Sequence, residues 1–279
     1  MIKIGDFNTL KVVRKADFGY YLHGGTDNTS DDILLPNNNT LGEKIEIDDM
    51  VTVFIYRDSE DRLVATLKKP LAKVGDLAYL EVVAVTKIGA FVNFGLERDL
   101  FVPQREQLYR LHEGRKYLFY VYLDMTGRLA ATTNVDEKLS YMENPVIGDE
   151  VKAVVYGLQT NNTLEVAVDN KYKGIVLKNE YFTFVHIGEE LQLRIKRTYE
   201  DGRVGLTPRG KKLDEKEVLQ EKILDYLKSN DGYMVYNDKS KAEDIRKVFN
   251  TSKNYFKMAL GGLMKAGLIT QDKEGTRLK

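Results

Sequence analysis

Two groups of side chains in this sequence join aromatic rings to a carboxylate and a guanidinium, and they recur in the same order. Phe18 and Tyr21 flank Gly19, and Asp58 and Arg62 close the same block. Phe91 follows Gly89, and Asp124 and Arg128 close the next block. Alternate residues of a strand face opposite sides, so a ring on the outer side needs a reason to be there. Such a ring offers a flat surface for a base, and an arginine beside it offers a cation. That pairing suits single-stranded nucleic acid. Chemistry of other kinds has little to stand on. His23, His112 and His186 are scattered without ligand-like spacing, and there is no phosphate loop, G-x-S-x-G or H-E-x-x-H pattern. No catalytic residue, metal ligand or cofactor site is therefore read from the sequence. The acidic loop Thr26–Asp32 lacks the spacing and closing glutamate of a calcium loop and reads as a solvated turn.

The elements that must carry these residues are short strands. Across 74–135, β-rich runs at Ala78–Val85, Ala90–Phe94, Leu100–Val102, Tyr117–Leu123 and Leu129–Thr132 are separated by Gly, Pro and charged turns. Five strands with one short insert near Gln104–Leu111 predict a small Greek-key barrel of the OB type. Strict alternation puts Phe91 and Phe94 on opposite faces, so one plugs the barrel and the other faces outward. The unit has relatives along the chain. Gly5-Asp6, Gly75-Asp76 and Gly148-Asp149 each open a block. DDILLP matches RDLFVP, with KGIVL a weaker third copy, and each block ends in an Arg-led strand at Arg62, Arg128 or Arg203. A period near 70 residues is too long for a solenoid, which predicts separate barrels over 1–70, 71–146 and 147–212. The links at Pro70 and Tyr141–Ile147 are short, so the barrels should pack together. In the first, Gly19 permits a bulge that brings Phe18 and Tyr21 to one face.

The third block departs from its siblings. TNNTLEVAV replaces the aromatic–Gly–aromatic strand, while Lys171, Lys173, Lys178, Arg194, Lys196, Arg197, Arg203, Arg209, Lys211 and Lys212 accumulate. Such a set either contacts phosphate or forms a solvated face. From residue 213 the apolar spacing turns helical: Leu219, Ile223, Tyr226 and Leu227 form one stripe. Ser240-x-x-Glu243 reads as a capping box before a helix with Ala242, Ile245, Val248 and Phe249 inward. Ser252 opens a third helix with Phe256, Leu260, Leu263 and Met264 on one face and Lys253, Lys257, Gly261 and Lys265 on the other. A terminal hairpin around Glu274-Gly275 completes a winged helix over 213–279. The predicted fold class is thus mainly β with a C-terminal α+β part: three tandem OB-fold barrels followed by a winged helix.

Composition sets the bounds. The 279 residues are 43% hydrophobic, contain no Cys, and have a formal net charge of zero. Residues 1–147 hold four more acidic than basic side chains, and 148–279 four more basic than acidic. Any general attraction to a polyanion should therefore come mainly from the C-terminal half. No apolar run approaches the ~20 residues of a membrane span. The N-terminus also lacks a signal peptide's apolar centre. The expectation is a cytoplasmic protein with no membrane contact and no small-molecule substrate.

The VGD opening, the (D/K)xGAFV strand, the following GLV-like strand and the D-x-x-x-R turn resemble S1 domains. Three such units ahead of DKSKAEDIRKVFNTSKNYFKMALGGLMKAGLI resemble the conserved virulence factor B family over essentially the whole chain. That resemblance implies an RNA-binding regulator of gene expression. S1 domains stack bases on two aromatics and add a His, an Asp and an Arg. Phe18, Tyr21, Asp58 and Arg62 match in the first barrel, with Pro36 at the His position. Phe91, Asp124 and Arg128 match in the second, with Ile88 for the first aromatic and Pro103 for the His. Arg203 alone matches in the third, with Tyr199 at the Asp position and Leu177 at the His. Under this match Phe91 is the platform and Phe94 a core residue. Lys173, Lys253, Lys257 and Lys265 are added as phosphate contacts. The reading is post-transcriptional regulation through single-stranded RNA. An adaptor docking on ribosome or polymerase is one alternative. A DNA-binding transcription factor is another, disfavoured by the few Arg, Asn or Gln groups on the third helix.

Overall fold

The structure is a computed structural model that describes residues 2–208 and 212–279, the side chains of 212–215 apart. Arg209 and Lys211 of the basic set lie outside the described residues, as does the side chain of Lys212. Three closed five-stranded barrels are followed by a helical segment with a small sheet. Barrel one comprises β1 (Phe7–Ala16), β2 (Gly19–Leu22), β3 (Ile33–Pro36), β4 (Met50–Arg57) and β5 (Leu63–Thr66). Its strands are joined in the order β1-β2-β3-β5-β4 and closed by β1 against β4. Barrel two repeats the plan with β6 (Leu77–Val85), β7 (Gly89–Val92), β8 (Leu100–Pro103), β9 (Lys116–Leu123) and β10 (Leu129–Thr132). Barrel three repeats it again with β11 (Glu150–Leu158), β12 (Leu164–Val168), β13 (Tyr172–Val176), β14 (Glu190–Thr198) and β15 (Val204–Thr207). In each, the third and fifth strands run parallel, the first strand runs antiparallel to the second and fourth, and the fourth antiparallel to the fifth.

The recurring Gly-Asp pair has a common task. Gly5, Gly75 and Gly148 hold positive φ of 75°, 94° and 102°, a region open to glycine. Their N–H groups donate to Ile55, Val121 and Ile195 on the fourth strand of their barrels. The turn thus pins the start of each barrel to the strand that will close it. The first strand of every barrel also bulges, at Val12/Arg14, Val82/Ala84 and Val155/Gly157. This corrects the expectation for Gly19: the bulge lies on β1, its partner strand. Gly19 itself is required by close approach, since a Cβ there would run into the Leu35 carbonyl of β3.

Barrels one and two belong to one compact unit, and β4 is the reason. Its residues alternate, with Val53 and Ile55 in the core of barrel one, and Phe54 and Tyr56 against the core of barrel two. Phe54 is fully buried, with its ring 6.1 Å from Phe94 and 5.5 Å from Phe7. Phe94 is 2% exposed, which settles which of the two β7-region phenylalanines is a core plug. The seam is reinforced by Lys73–Asp6 at 3.0 Å and Lys68–Glu97 at 2.8 Å. Val74 N–H donates to the Gly5 carbonyl and Leu71 N–H to the Phe94 carbonyl.

Barrel three and the C-terminal segment belong mostly to a second unit. The segment comprises α1 (Lys212–Lys228), β16 (Tyr233–Met234), α2 (Ala242–Phe249), α3 (Lys253–Lys265), β17 (Ile269–Gln271) and β18 (Thr276–Leu278), with sheet order β16-β18-β17. Leu219, Ile223 and Leu227 of α1 meet Ile245 and Phe249 of α2 and Phe256, Leu260 and Leu263 of α3. This is a winged helix with one strand more than the sequence pattern indicated, because GYMVYND contributes β16. Three other expectations are corrected. The capping box does not form: Lys241 is the α2 N-cap, and the Ser240 hydroxyl accepts from Asn237 N–H. Ala242 is exposed in the first turn, and Met264 is 41% exposed because the α3 core stripe ends at Leu263. Ser252 does cap α3, accepting from Tyr255 N–H. Gly262 leaves room for Gln220 of α1, whose amide donates to the Ala259 carbonyl, whereas Gly261 faces open space.

Phe54→Ala is expected to destabilise the protein by about 3–5 kcal/mol in urea unfolding. The double variant Phe54→Ala/Phe94→Ala should cost less than the sum of the two single changes, because both empty the same contact.

Candidate nucleic-acid interface

β7 and β8 position the ring platform of barrel two. Their register sets Phe91 opposite Phe101, and the rings lie 5.2 Å apart with a 43° tilt, both half-buried. Gly89 makes this possible, since a Cβ there would strike the Phe101 ring and the Val102 carbonyl. Phe101 was not among the expected site residues. Its signal was the RDLFVP repeat, whose phenylalanine pairs across to Phe91 once the strands are aligned. Ile88, at the place of the first S1 aromatic, is 70% exposed, and Pro103 sits opposite Gly89 at the edge of the platform. These residues line a cleft of about 650 Å³ that also takes in Tyr122, Asp124 and Arg128.

The platform of barrel one is assembled differently. Phe18, in the turn before β2, is 57% exposed and meets the Tyr21 ring edge-on at 6.2 Å. Arg14 stacks on Tyr21 with its guanidinium carbon 3.7 Å from the ring centroid. Arg14 was also missed. It reaches Tyr21 because the β1 bulge aligns the two across the strand pair.

The Asp-x-x-x-Arg turns share a backbone and differ in where the arginine goes. In barrel one, Asp58 Oδ1 accepts the N–H groups of Glu60 and Arg62, while Oδ2 takes Arg62 Nε and Nη2 at 3.0 and 2.8 Å. Glu60 takes Nη1 at 2.9 Å. In barrel two, Asp124 Oδ1 accepts Thr126 N–H, Thr126 hydroxyl and Arg128 N–H, yet Arg128 Nε reaches Asp61 of barrel one at 3.0 Å. Partial burial pushes the Asp58 and Asp124 carboxyls up. For Asp58 the Arg62 guanidinium and the turn N–H groups outweigh it, and for Asp124 the Thr126 hydroxyl and the turn N–H groups do so. Both end below the ordinary carboxylate value of 3.8. The Arg128–Asp61 pair is half exposed at both ends. Exposed ion pairs of this kind contribute only ~0.2–1 kcal/mol, so a phosphate can compete for the cation.

The remaining expected contacts are dispersed. Lys173 pairs with Asp136 at 2.8 Å, and Arg203 pairs with Asp201 at 2.6 Å. Asp201 stands two residues from the position where the S1 pattern has its aspartate and still supplies the counter-ion. Arg194 and Lys196 are held by Glu150 and Glu180 at 2.6 Å each. Much of the basic set in the third block is therefore already matched by carboxylates. Lys257 and Lys265 are exposed on α3, while Lys253 Nζ donates to the Lys239 carbonyl at 3.3 Å. Among the described residues no cluster of His, Cys, Asp or Glu could hold a metal ion, and no helix is long and apolar enough to cross a membrane.

Comparison with known proteins places these features. The family model of the S1 domain matches residues 4–68 and 74–134, and that of the CvfB-like winged helix domain matches 221–278. The uncharacterized protein YitL of Bacillus subtilis is 33% identical over 274 residues, covering 95% of this chain and 90% of the relative. Conserved virulence factor B of Staphylococcus epidermidis is 29% identical over 289 residues, covering 95% and 91%. A crystal structure from Streptococcus pneumoniae, described as a multidomain protein with nucleic acid binding domains, shares 26% identity and covers 99% of this chain and 98% of its own, with a TM-score of 0.54.

Removal of a platform ring should weaken binding to single-stranded RNA by about 1–3 kcal/mol per lost stack. Phe18→Ala and Phe91→Ala are expected to do so in a titration with labelled oligonucleotide, with little change in thermal unfolding. A second outcome concerns acid. Because Asp124 titrates lower folded than unfolded, its stabilisation is complete above the ordinary value of 3.8 and is lost as pH falls through the folded value. Asp124→Asn should therefore lose less stability than the parent on acidification below that point, as followed by urea unfolding at stepped pH.

Proposed function

Because this chain belongs to the conserved virulence factor B family, we propose that it is a regulator that acts by binding single-stranded RNA. Two S1 domains and a winged helix make it a nucleic acid-binding protein. The observation that carries the choice is the Phe91–Phe101 platform, set in a cleft with the Arg128 guanidinium on its wall. An open ring surface reads an unpaired base, whose faces are exposed, and is of no use against a stacked duplex. Phe18, Tyr21, Asp58 and Arg62 form the corresponding site of barrel one, with Arg14 added. Asp58 and Asp124 act by shaping the turns that present Arg62 and Arg128, and the cations Lys173, Arg203, Lys253, Lys257 and Lys265 supply phosphate contacts. Action in the cytoplasm, on transcripts after synthesis, accords with this chemistry.

The alternative of an adaptor for ribosome or polymerase draws support from the zero net charge and from the carboxylates that hold Arg194, Lys196 and Arg203. The full chain should bind single-stranded RNA more tightly than duplex RNA or duplex DNA of the same sequence, with affinity falling as salt rises. Competition titrations at several salt concentrations test this. Equal or tighter binding to duplex DNA would favour a winged-helix DNA binder, and no binding to any nucleic acid would favour the adaptor.

A further inference from the structure

The cleft of barrel two is not built by barrel two alone. Tyr56 and Arg57, the last two residues of β4 in barrel one, line it together with Phe91, Phe101 and Arg128. Tyr56 is placed there by the same alternation that sends Phe54 into the barrel-two core, and it packs against that core. Arg57 is anchored in one turn and lies close to the other. Its Nη1 donates to the Asp61 carbonyl at 2.5 Å, and its Nε lies 3.4 Å from where a Cβ on Gly127 would stand. The guanidinium therefore sits between the Asp-x-x-x-Arg turns of the two barrels. Its Nε is buried and has no hydrogen-bond partner, an arrangement that leaves a donor unused.

Charge sharpens the point. Residues 1–147 carry an excess of four acidic groups, yet the cleft is lined by Arg57, Arg98, Arg105 and Arg128 against only Asp99 and Asp124. Asp124 is already engaged by the N–H groups of its own turn. Half of the eight arginines of residues 1–147 thus line this one aromatic cleft. The nearest anion to Arg128 is Asp61, which is contributed by barrel one.

Building on the single-stranded RNA reading, we infer that the cleft is a composite nucleotide site shared by two barrels. Arg57 binds phosphate there, and Asp61 is the carboxylate that phosphate replaces on Arg128. A base stacks on the Phe91–Phe101 platform, and the phosphate next to it comes between Arg57 and Arg128. Neither Tyr56 nor Arg57 belongs to the S1 pattern, so a single S1 barrel cannot form this site. Only a pair fused through β4 brings the two arginines together.

Binding of a labelled oligouridine to the full-length parent, Phe91→Ala, Arg57→Gln, Arg57→Lys and Asp61→Asn over a range of salt tests the inference. Arg57→Gln should lose about tenfold in affinity, and its plot of log affinity against log salt should be shallower by about 0.7, the share of one phosphate on a single strand. Arg57→Lys should keep the parent slope, because the charge remains. Asp61→Asn should bind about two- to fivefold more tightly, since a weak competitor has been removed. Asn tolerates the left-handed backbone of this position, φ 68°, so the turn is retained. If Arg57→Gln unfolds, Arg57→Lys and Asp61→Asn carry the decision. Parent-like affinity and slope in Arg57→Gln, or parent-like or weaker binding by Asp61→Asn, while Phe91→Ala loses affinity, would overturn the composite site and leave the RNA reading standing. A parent that does not bind oligouridine overturns both.

Discussion

The alternation of β4 between two cores is the constraint on which the N-terminal unit depends. A strand has two faces, and in an isolated barrel one of them meets water. Here the outer face of β4 carries Phe54 and Tyr56, and burying them against Phe94 and its neighbours stabilises the pair of barrels by about 1.5–3 kcal/mol for Phe54 alone. The cost is a loss of independence. Barrel one cannot turn relative to barrel two without exposing a fully buried phenylalanine. Arg57, the residue after Tyr56 on the strand, is thereby set at the rim of the neighbour's cleft.

A second theme is that one turn design serves three electrostatic outcomes. The aspartate or its substitute folds the loop, and the arginine that follows is then available to whatever anion lies nearest. In barrel one that anion is the turn's own Asp58 with Glu60, in barrel two Asp61 of the adjoining barrel, and in barrel three Asp201. Exposed pairs of this sort add little to stability. They keep cations in extended, ordered positions at small energetic cost. A chain with no net charge can bind a polyanion locally on these terms, since the relevant quantity is the field in the cleft rather than the sum over the surface.

Much of the fold was legible in the residues because each signal was local. Gly-Asp turns that open each block, strands bounded by Gly and Pro, and an apolar helical stripe each follow from backbone sterics or from periodicity over a few residues. The misreadings share a cause. Gly19 points to a bulge on its own strand, whereas the extra residue sits on the partner strand, across a pairing that no local window contains. Ser240 and Glu243 have capping-box spacing, but the Ser240 hydroxyl is taken by Asn237 N–H, so the helix starts without it. Met264 continues the spacing of the α3 stripe and is exposed because the core ends one residue earlier. Phe101 and Arg14 carry no signal within their own strands, because each meets its ring partner only across a strand pair.

The sequence by itself determined three barrels and a winged helix, and placed Tyr21 and Phe91, and the Asp–Arg turns, at equivalent points of the first two barrels. It could do so because side-chain period, glycine geometry and turn chemistry act over distances shorter than one element. What only the tertiary structure decided is which charges and rings meet. The partner of Arg128 lies 67 residues away, and Phe54 reads as an ordinary strand residue until Phe94 is packed against it. Chain-distant contacts are selected by the closure of whole barrels and by the surface left uncovered when they close. That surface brings Tyr56 and Arg57 to a cleft whose motif lies entirely in the following block.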